Sequence, residues 1–205
     1  MVVFSCVVEG IIDEAVAIRL VSEVGGTCGA IYGKRGKFYI NDRVRRFNNA
    51  ASRSAWFVLR DFDSDAVCPG HLARELLPQP AEFMCFRLAV REVEAWLLAD
   101  KPRLARFLGV PQSLLPTDPE TLNDPKLEMV NLAGASNKRT IRSGLVPTSG
   151  SGRDVGVLYH SELSLFALDA ANGWRPKEAA ETSPSLARCL ARLEETMGRY
   201  ALAFC

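Results

Sequence analysis

Carboxylate side chains follow two apolar segments of this chain, in positions typical of a divalent-metal site. Glu9 ends one apolar segment and Asp13 lies one helical turn later, while Asp61 and Asp63 follow a second apolar segment. Each segment is typical of a strand buried on both faces, and the carboxyl ends of parallel strands border the crevice where open α/β sheets bind ligands. Mg²⁺ prefers carboxylate oxygens and usually keeps several waters when it binds phosphate substrates. These four residues therefore indicate phosphoryl chemistry.

A third apolar segment also ends near acidic side chains. Residues 83–90 predict a core strand, and residues 91–100 predict a helix with Glu92 and Glu94 in its first turn. Acidic residues in that position can simply complement the helix dipole. At the tip of a third strand they could equally complete the metal site, so both interpretations remain open. Asp65, by contrast, is interpreted as a turn residue.

Basic side chains are concentrated in two segments, although the net charge of the chain is only +1. The first segment, residues 33–53, contains one acid, three interleaved aromatic residues and the basic residues Lys34, Arg35, Lys37, Arg43, Arg45, Arg46 and Arg53. The second contains Lys138, Arg139, Arg142 and Arg153 among Gly, Ser and Thr. Such segments are either solvated faces or contacts to a phosphate backbone beside the acidic crevice. The first six basic residues of the first segment, from Lys34 to Arg46, are the predicted nucleic-acid contacts.

The elements that must position these residues alternate between strand and helix. Apolar patterns predict strands over residues 2–8, 27–32, 55–59 and 83–90, and helices over residues 11–24, 42–52, 71–77 and 91–100. This order predicts an α/β fold with a mostly parallel sheet flanked by helices. Residues 1–100 form the predicted core. Residues 101–205 form a helical and loop-rich extension, with helices over 103–108, 126–132 and 185–204 and a surface loop or lid over 133–156.

Composition bounds the class of protein. With 48% hydrophobic and 24% charged residues, the chain is expected to form one domain with a substantial core. No apolar stretch approaches the roughly 20 residues that span a bilayer, and no signal peptide is recognised, so a cytoplasmic location without membrane contact is expected. The six cysteines are scattered without a CxxC motif and are interpreted as buried thiols. Cys68 and His71 have ligand-like spacing, but no second pair completes a zinc site.

The acidic motifs, in this order and after these apolar strands, resemble the Toprim domain of topoisomerases, primases and OLD-type nucleases. The resemblance rests on Glu9-Gly10-Ile11-Ile12-Asp13 and on Asp61-Phe62-Asp63. The later segment from Arg91 to Asp100 is similar to a small, uncharacterised bacterial family of Toprim-like proteins, often expected beside an ATPase in phage-defence operons. The resemblance covers the first hundred residues and does not extend to the rest of the chain.

The resemblance implies roles for individual residues. Glu9 would be a metal ligand or general acid/base, and Asp61 and Asp63 would bind Mg²⁺ or Mn²⁺. Asp13 and one of Glu92 or Glu94 would help to hold a second ion, with Glu94 preferred because it lies within the motif. Two such ions, about 4 Å apart, activate a water and stabilise the leaving oxygen during phosphodiester cleavage. A catalytic lysine is also implied, and it is placed at Lys138 or, as second choice, at Lys126.

The expected function is therefore a Mg²⁺-dependent nuclease acting on DNA or RNA, as the effector of a phage-defence complex with an ATPase partner. The alternative is a non-catalytic sensor or adaptor subunit that holds metal or nucleotide in the acidic crevice. A phosphatase with an aspartyl-phosphate intermediate fits poorly, because its aspartate pair would follow the first strand, where Glu9 lies. Strand passage is not expected, since Tyr159 and Tyr200 lack a recognisable context. Assembly with copies of the same chain is left open.

Overall fold

A parallel sheet forms the centre of the molecule. The computed structural model describes residues 1–63 and 65–204. Its strands are β1 (Val3–Val8), β2 (Thr27–Gly33), β3 (Trp56–Asp61) and β4 (Met84–Ala89), paired in parallel in the order β2-β1-β3-β4. The predicted α/β class with a parallel sheet is confirmed, and the strands that carry Glu9 and Asp61 at their carboxyl ends are neighbours.

Helices connect the strands and make up the second half of the chain. They are α1 (Ile11–Glu23), α2 (Lys37–Ala50), α3 (Pro69–Leu76), α4 (Val93–Ala99), α5 (Lys101–Leu108), α6 (Pro125–Gly134), α7 (Arg139–Leu145), α8 (Tyr159–Leu168), α9 (Pro176–Ala180) and α10 (Pro184–Phe204). Single 3-10 turns occur at Gln112–Leu114 and Pro119–Thr121. Across residues 1–63 and 65–204, none of the helices combines the length and the apolar character needed to cross a bilayer.

Both faces of the sheet are covered, as the continuous apolar strands predict. On one face, β-strand side chains such as Phe57 pack with α1, α4, α8, α9 and α10 in the largest apolar cluster. On the other face, Ile40 and Val44 of α2 pack against Val7 and Val58. This alternation follows from the two-residue period of a strand. Because apolar side chains cover both faces, polar side chains meet at the carboxyl edge of the sheet.

The helices after residue 100 share the core of the sheet. Trp96 in α4 and Trp174 before α9 are both fully buried, and the indole Nε1 of Trp174 donates a hydrogen bond to the carbonyl of Trp96 at 3.0 Å. Nε1 of Trp96 in turn donates to Oγ of Ser185 in α10 at 2.7 Å. These buried contacts fasten the helical extension to one face of the sheet.

The expectation of a long loop or lid over residues 133–156 is wrong. Helix α7 lies inside that range, and its Ile141 and Leu145 are buried. Two apolar residues one turn apart, among Lys, Arg, Ser and Gly, are too few to reveal a helix in the sequence. Helices α8 and α9 were also not predicted. Helix α2 begins at Lys37, five residues before its predicted start.

The cysteines of the described residues are free thiols. Cys6, Cys85 and Cys189 are buried, whereas Cys28 is half-buried and Cys68 is exposed. Sγ of Cys68 accepts a hydrogen bond from the backbone N–H of His71 at 3.3 Å, so the spacing of these two residues reflects the cap of α3. Cys205, which was counted among the buried thiols, lies outside the described residues.

Candidate functional site

Glu9 and Asp61 meet at the carboxyl edge of the sheet. Glu9 directly follows β1, and Asp61 is the last residue of the neighbouring strand β3. The backbone N–H of Asp61 donates a hydrogen bond to Oε2 of Glu9 at 3.3 Å. Oδ1 of Asp61 accepts the N–H of Val93, the first residue of α4, at 3.0 Å. The two strand tips and the start of α4 are thus held together by these carboxylates.

Asp13 and Glu94 bring two further carboxylates from helices. Asp13 lies in the first turn of α1 and is 5% exposed, and Glu94 lies in the first turn of α4 and is 2% exposed. Glu94 Oε1 accepts the phenolic O–H of Tyr159 at 3.1 Å. Oδ1 of Asp13 is buried without a hydrogen-bond partner among the described residues. A side chain at position 10 would place its Cβ 3.0 Å from Asp13 Oδ2, so Gly10 leaves room for this carboxylate.

These four carboxylates border one pocket of about 300 Å³, which we call the acidic pocket. Its other lining residues are Gly10, Ile11, Ile12, Lys126 and His160. A buried carboxylate whose oxygen lacks a donor is costly, because an unpaired polar group loses its solvation without compensation. An oxygen in that state at the wall of an open pocket is a candidate ligand for a bound cation.

The electrostatics of the acidic pocket favour the uptake of positive charge. Burial, followed by the neighbouring Glu94 carboxylate, raises the pKa of Asp13 to about 7. Burial also raises the pKa of Glu94 to about 7, despite the opposing effect of Lys126. The pKa of Asp61 lies well above its ordinary value because of burial and the charges of Asp13 and Glu94. Burial likewise raises the pKa of Glu9. Several like charges that lose solvation together destabilise one another.

The donor set of the acidic pocket fits a hard cation, but its side chains are not gathered around one point. Within residues 1–63 and 65–204, no three His, Cys, Asp or Glu side chains are arranged so that they could hold a metal ion. Glu9, Asp61 and Glu94 each accept a hydrogen bond instead. Each of these carboxylates keeps further oxygen lone pairs, so a cation in this pocket would require the side chains to approach one point but not to give up these donors.

Asp63 does not line the acidic pocket. Its Oδ2 lies 2.8 Å from Nζ of Lys37, which also contacts Oδ1 of Asp65 at 2.7 Å. Asp63 has a left-handed backbone with φ of 51°, and it borders a second pocket of about 360 Å³ together with Glu92. The Asp-x-Asp motif is thus divided between two pockets in this conformation. The role of Asp63 as a ligand beside Asp61 stays a prediction from the resemblance.

Glu92 and Glu94 also face different pockets. Glu92 borders the second pocket, where its Oε2 accepts the backbone N–H of Lys126 at 3.1 Å and its Oε1 lies 3.6 Å from Lys126 Nζ. Glu94 borders the acidic pocket. The two residues are separated because Glu92 precedes α4 in extended backbone, whereas Glu94 lies within the helix.

The first-choice lysine, Lys138, is remote from the acidic carboxylates. Its Nζ donates hydrogen bonds to the carbonyls of Arg106 and Phe107 at 2.7 and 2.9 Å, at the end of α5. Lys126, the second choice, lines the acidic pocket. Burial lowers the pKa of Lys126, but the carboxylates of Glu94 and Glu92 raise it by more, so the net shift of the pKa is upward. Of the two lysines, the structure thus brings Lys126 and not Lys138 beside the acids of α4. A catalytic role for either lysine stays a prediction.

The basic residues around α2 differ in how much of their charge is available. Lys34 pairs with Glu14 at 3.0 Å, Lys37 pairs with the acids described above, and Arg43 pairs with Asp42 at 2.7 Å. The guanidinium groups of Arg35 and Arg43 lie over the ring of Tyr39, at 5.7 and 4.5 Å from its centroid. Arg45 and Arg46 are exposed on α2. Arg35 is exposed as well, so these three residues carry accessible positive charge. Their contact with nucleic acid stays a prediction.

Three residues near the acidic pocket were missed in the sequence. Tyr159 and His160 belong to α8, which was not predicted, so nothing marked them as site residues. Arg60 is 1% exposed, and its guanidinium donates to the carbonyl of Asp61 and to Oδ2 of Asp65. An arginine inside an apolar strand and next to an acidic tip was a readable signal, because buried charges are normally paired.

Comparison with known proteins gives no relative for this chain: neither protein-family models, nor curated proteins, nor solved structures produced a match.

Proposed function

We propose that this protein is a Mg²⁺-dependent nuclease that cleaves phosphodiester bonds of DNA or RNA. The observation that carries the proposal is the convergence of four carboxylates, from two adjacent strand tips and two helices, on one pocket: Glu9, Asp13, Asp61 and Glu94. Carboxylate clusters at this edge of a parallel sheet suit hard cations and phosphate substrates.

The energetics of the pocket support a resident cation. The raised pKa values of Asp13 and Glu94 mean that the folded protein disfavours their charged forms. A divalent ion would relieve the repulsion between the carboxylates and would satisfy Oδ1 of Asp13, which has no donor in the described residues. Ion binding to the folded state alone would also stabilise the fold.

The residues of the pocket have distinct tasks in this proposal. Glu9, Asp13, Asp61 and Glu94 would hold Mg²⁺, which when bound supplies a more acidic water and charge stabilisation at phosphorus. Lys126 carries the positive charge that would orient a phosphate oxygen and offset the charge that develops on it. His160, at the wall of the same pocket, is positioned to accept or donate a proton.

The substrate and partner follow from the surface and from the resemblance. Exposed Arg45 and Arg46 on α2 offer sequence-independent contacts to a phosphate backbone. The similarity of residues 91–100 to Toprim-like proteins expected beside an ATPase supports a role as the cleaving subunit of a phage-defence complex. Both statements are part of the proposal.

A second function, a non-catalytic sensor or adaptor subunit, is favoured by one observation. The described residues contain no preformed group of three metal ligands. A pocket that binds a cation or a nucleotide weakly, without a fixed coordination shell, suits a binding subunit better than a nuclease.

The test is cleavage of fluorescent DNA and RNA by the purified chain, alone and with its ATPase partner, in Mg²⁺, in Mn²⁺ and in chelator. Isothermal calorimetry measures ion binding in parallel. Ion binding with metal-dependent cleavage supports the nuclease, and ion binding without cleavage of either substrate in any condition supports the sensor. Absence of ion binding at millimolar Mg²⁺ and Mn²⁺ would reject both.

A further inference from the structure

A groove runs along the free edge of the sheet, beside β4. Two adjoining pockets of about 360 and 250 Å³ form it and share Ala73, Phe86 and Arg87. Helix α3 forms one wall and α10 the other. We call this feature the edge groove. The groove lies outside the acidic pocket, because none of its lining residues borders that pocket.

The edge groove carries a concentrated positive charge. Four arginines line it, namely Arg74 from α3, Arg87 from β4, and Arg188 and Arg192 from α10. The charge of Arg192 is already offset by Glu195, whose Oε2 lies 2.6 Å from its Nη1. Among the described residues that line the two pockets, none is Asp or Glu. Nε of Arg87 is buried and has no hydrogen-bond partner within the described residues. Arg74 and Arg188 are exposed, so the groove has charge to offer to an acidic ligand.

The backbone of β4 is paired on one side only. β4 is the last strand in the sheet order and pairs with β3. The carbonyls of Phe83 and Ala89 accept the N–H groups of Trp56 and Phe62, at 3.0 and 2.8 Å. In a parallel ladder, the backbone N–H and C=O groups of alternate residues point to the same neighbouring strand. The backbone groups of the odd-numbered residues of β4 therefore point to β3, and those of the even-numbered residues point to the groove.

Helix α10 satisfies the two ends of this free edge. Nη2 of Arg192 donates to the carbonyl of Met84 at 3.2 Å, and the N–H of Val90 donates to Oγ of Ser185 at 3.4 Å. Between these ends lie the backbone groups of Phe86 and Leu88. Over residues 1–63 and 65–204, neither α3 nor α10 supplies them with a hydrogen bond. A segment of strand edge whose backbone is not paired is a template for another strand.

We propose that the edge groove binds an extended acidic segment of a partner protein, which aligns with β4. The backbone groups of Phe86 and Leu88 would pair with the segment, and its Asp and Glu side chains would pair with the arginines. The half-buried side chain of Phe86 provides apolar surface between the arginines, which suits apolar side chains that alternate with the acids. A nucleic-acid backbone offers neither these apolar groups nor a matching series of amide donors. The inference does not depend on the chemistry of the acidic pocket.

The test uses the full chain and labelled octapeptides with blocked termini. The probe peptide alternates Glu with Val, a second alternates Lys with Val, and a third has the Glu-Val sequence with every backbone nitrogen methylated. The third keeps the charge but has no backbone N–H with which to pair as a strand. Fluorescence anisotropy measures binding, and amide exchange by NMR follows Phe86 and Leu88. Saturable binding of the Glu-Val peptide is expected, with slower exchange of both amides and affinities at least about 10-fold weaker for the other two peptides.

Charge reversal identifies the surface. Arg74→Glu combined with Arg188→Glu should weaken Glu-Val binding at least about 10-fold, because both guanidinium groups become like charges of the peptide. The matched control reverses two exposed arginines outside the groove, Arg139→Glu with Arg153→Glu, and should bind as the parent does. Equal binding of the N-methylated peptide would refute strand pairing, and no saturable binding of the Glu-Val peptide would refute the proposal. An oligothymidine that binds through Arg74 and Arg188 when the peptide does not would assign the groove to nucleic acid instead.

Discussion

The N–H of Asp61 donates a hydrogen bond to Oε2 of Glu9 at 3.3 Å, so the tips of two adjacent strands are joined through an acidic side chain. The relationship has an electrostatic consequence, because a negative charge on Glu9 is one of the causes that raise the pKa of Asp61. The same edge of the sheet therefore supplies both the geometry of the acidic pocket and its excess of negative charge.

Replacing Asp61 with Asn should separate catalysis from stability. The amide oxygen can still accept the N–H of Val93, but the site loses a negative ligand, so metal-dependent cleavage should fall at least about 100-fold. Without metal, the free energy of unfolding should increase, because the neutral amide avoids the burial and the like charges that raise the pKa of Asp61. Denaturant titrations and cleavage assays measure the two effects.

Asp65→Asn is the matched control for Asp61→Asn. Asp65 pairs with Lys37 and Arg60 and does not line the acidic pocket, so this variant should lose some stability and keep cleavage. Cleavage by Asp61→Asn at the parent rate would contradict the catalytic assignment.

The placement of Glu9 and Asp61 could be predicted from the sequence because two short rules determine it. An acid at the end of an apolar run marks a strand tip, and parallel strands place their tips at one edge. The direction of Asp63 could not be predicted, since it depends on an ion pair with Lys37, 26 residues earlier in the chain.

The choice between Lys126 and Lys138 was also beyond the sequence. Both residues lie near the start of a short helix, and only tertiary packing decides which one faces the acids of α4. Helix α8 is a different case. Its buried Tyr159, Leu163 and Phe166 recur at helical spacing, so the sequence does contain the pattern that predicts this helix.

The pH dependence of stability should report on Asp13 and Glu94. Both have folded-state pKa values of about 7, above the ordinary values of 3.8 and 4.5. Between the ordinary pKa values and about 7, the folded state therefore binds more protons than the unfolded state. The stability that this protonation provides is lost as pH rises through about 7. The Asp13→Asn variant should lose less stability than the parent over this range. The free energy of unfolding of the variant minus that of the parent should therefore increase between pH 5 and pH 8.

Thermal unfolding at several pH values, with and without Mg²⁺, measures this effect. Mg²⁺ should stabilise the parent more at pH 8 than at pH 5, because protons compete with the ion for the same oxygens. A parent-minus-variant difference that does not change with pH would show that Asp13 keeps an ordinary pKa.

Gly33→Ala should destabilise the strand pair that precedes Glu9. Gly33 has φ of +99°, and a Cβ there would lie 2.1 Å from the carbonyl oxygen of Val8. The loss in free energy of unfolding should be about 2 kcal/mol or more, because steric overlap adds to the strain of a positive φ. Gly36→Ala is the control: φ is +75° there, but no atom lies within 4 Å, so the loss should be about 1 kcal/mol. Equal losses would mean that β2 moves away from β1 without cost.

Arg45→Ala combined with Arg46→Ala should weaken nucleic-acid binding without loss of stability. Both side chains are exposed on α2, and each phosphate contact releases counterions when it forms. The slope of log K against log salt should decrease in magnitude by about 2, one for each arginine. Filter binding between low and moderate salt measures the slope. Arg139→Ala with Arg153→Ala tests the second basic segment in the same way. An unchanged slope for the α2 variant would mean that the exposed face of α2 is only a solvated surface.

Lys126→Met should reduce cleavage while preserving the binding of metal. Lys126 Nζ lies 3.6 Å from Glu92 Oε1, and the residue also lines the acidic pocket. Its loss removes a cation that would stabilise the phosphate, so the rate constant should fall about 100-fold. The same loss leaves the neighbouring carboxylates without a competing positive charge, so calorimetry should show equal or tighter Mg²⁺ binding.

Lys138→Met should behave in the opposite way, with normal cleavage and about 1 kcal/mol less stability, because its Nζ only satisfies carbonyls at the end of α5. Loss of cleavage in Lys138→Met but not in Lys126→Met would restore Lys138 as the catalytic lysine.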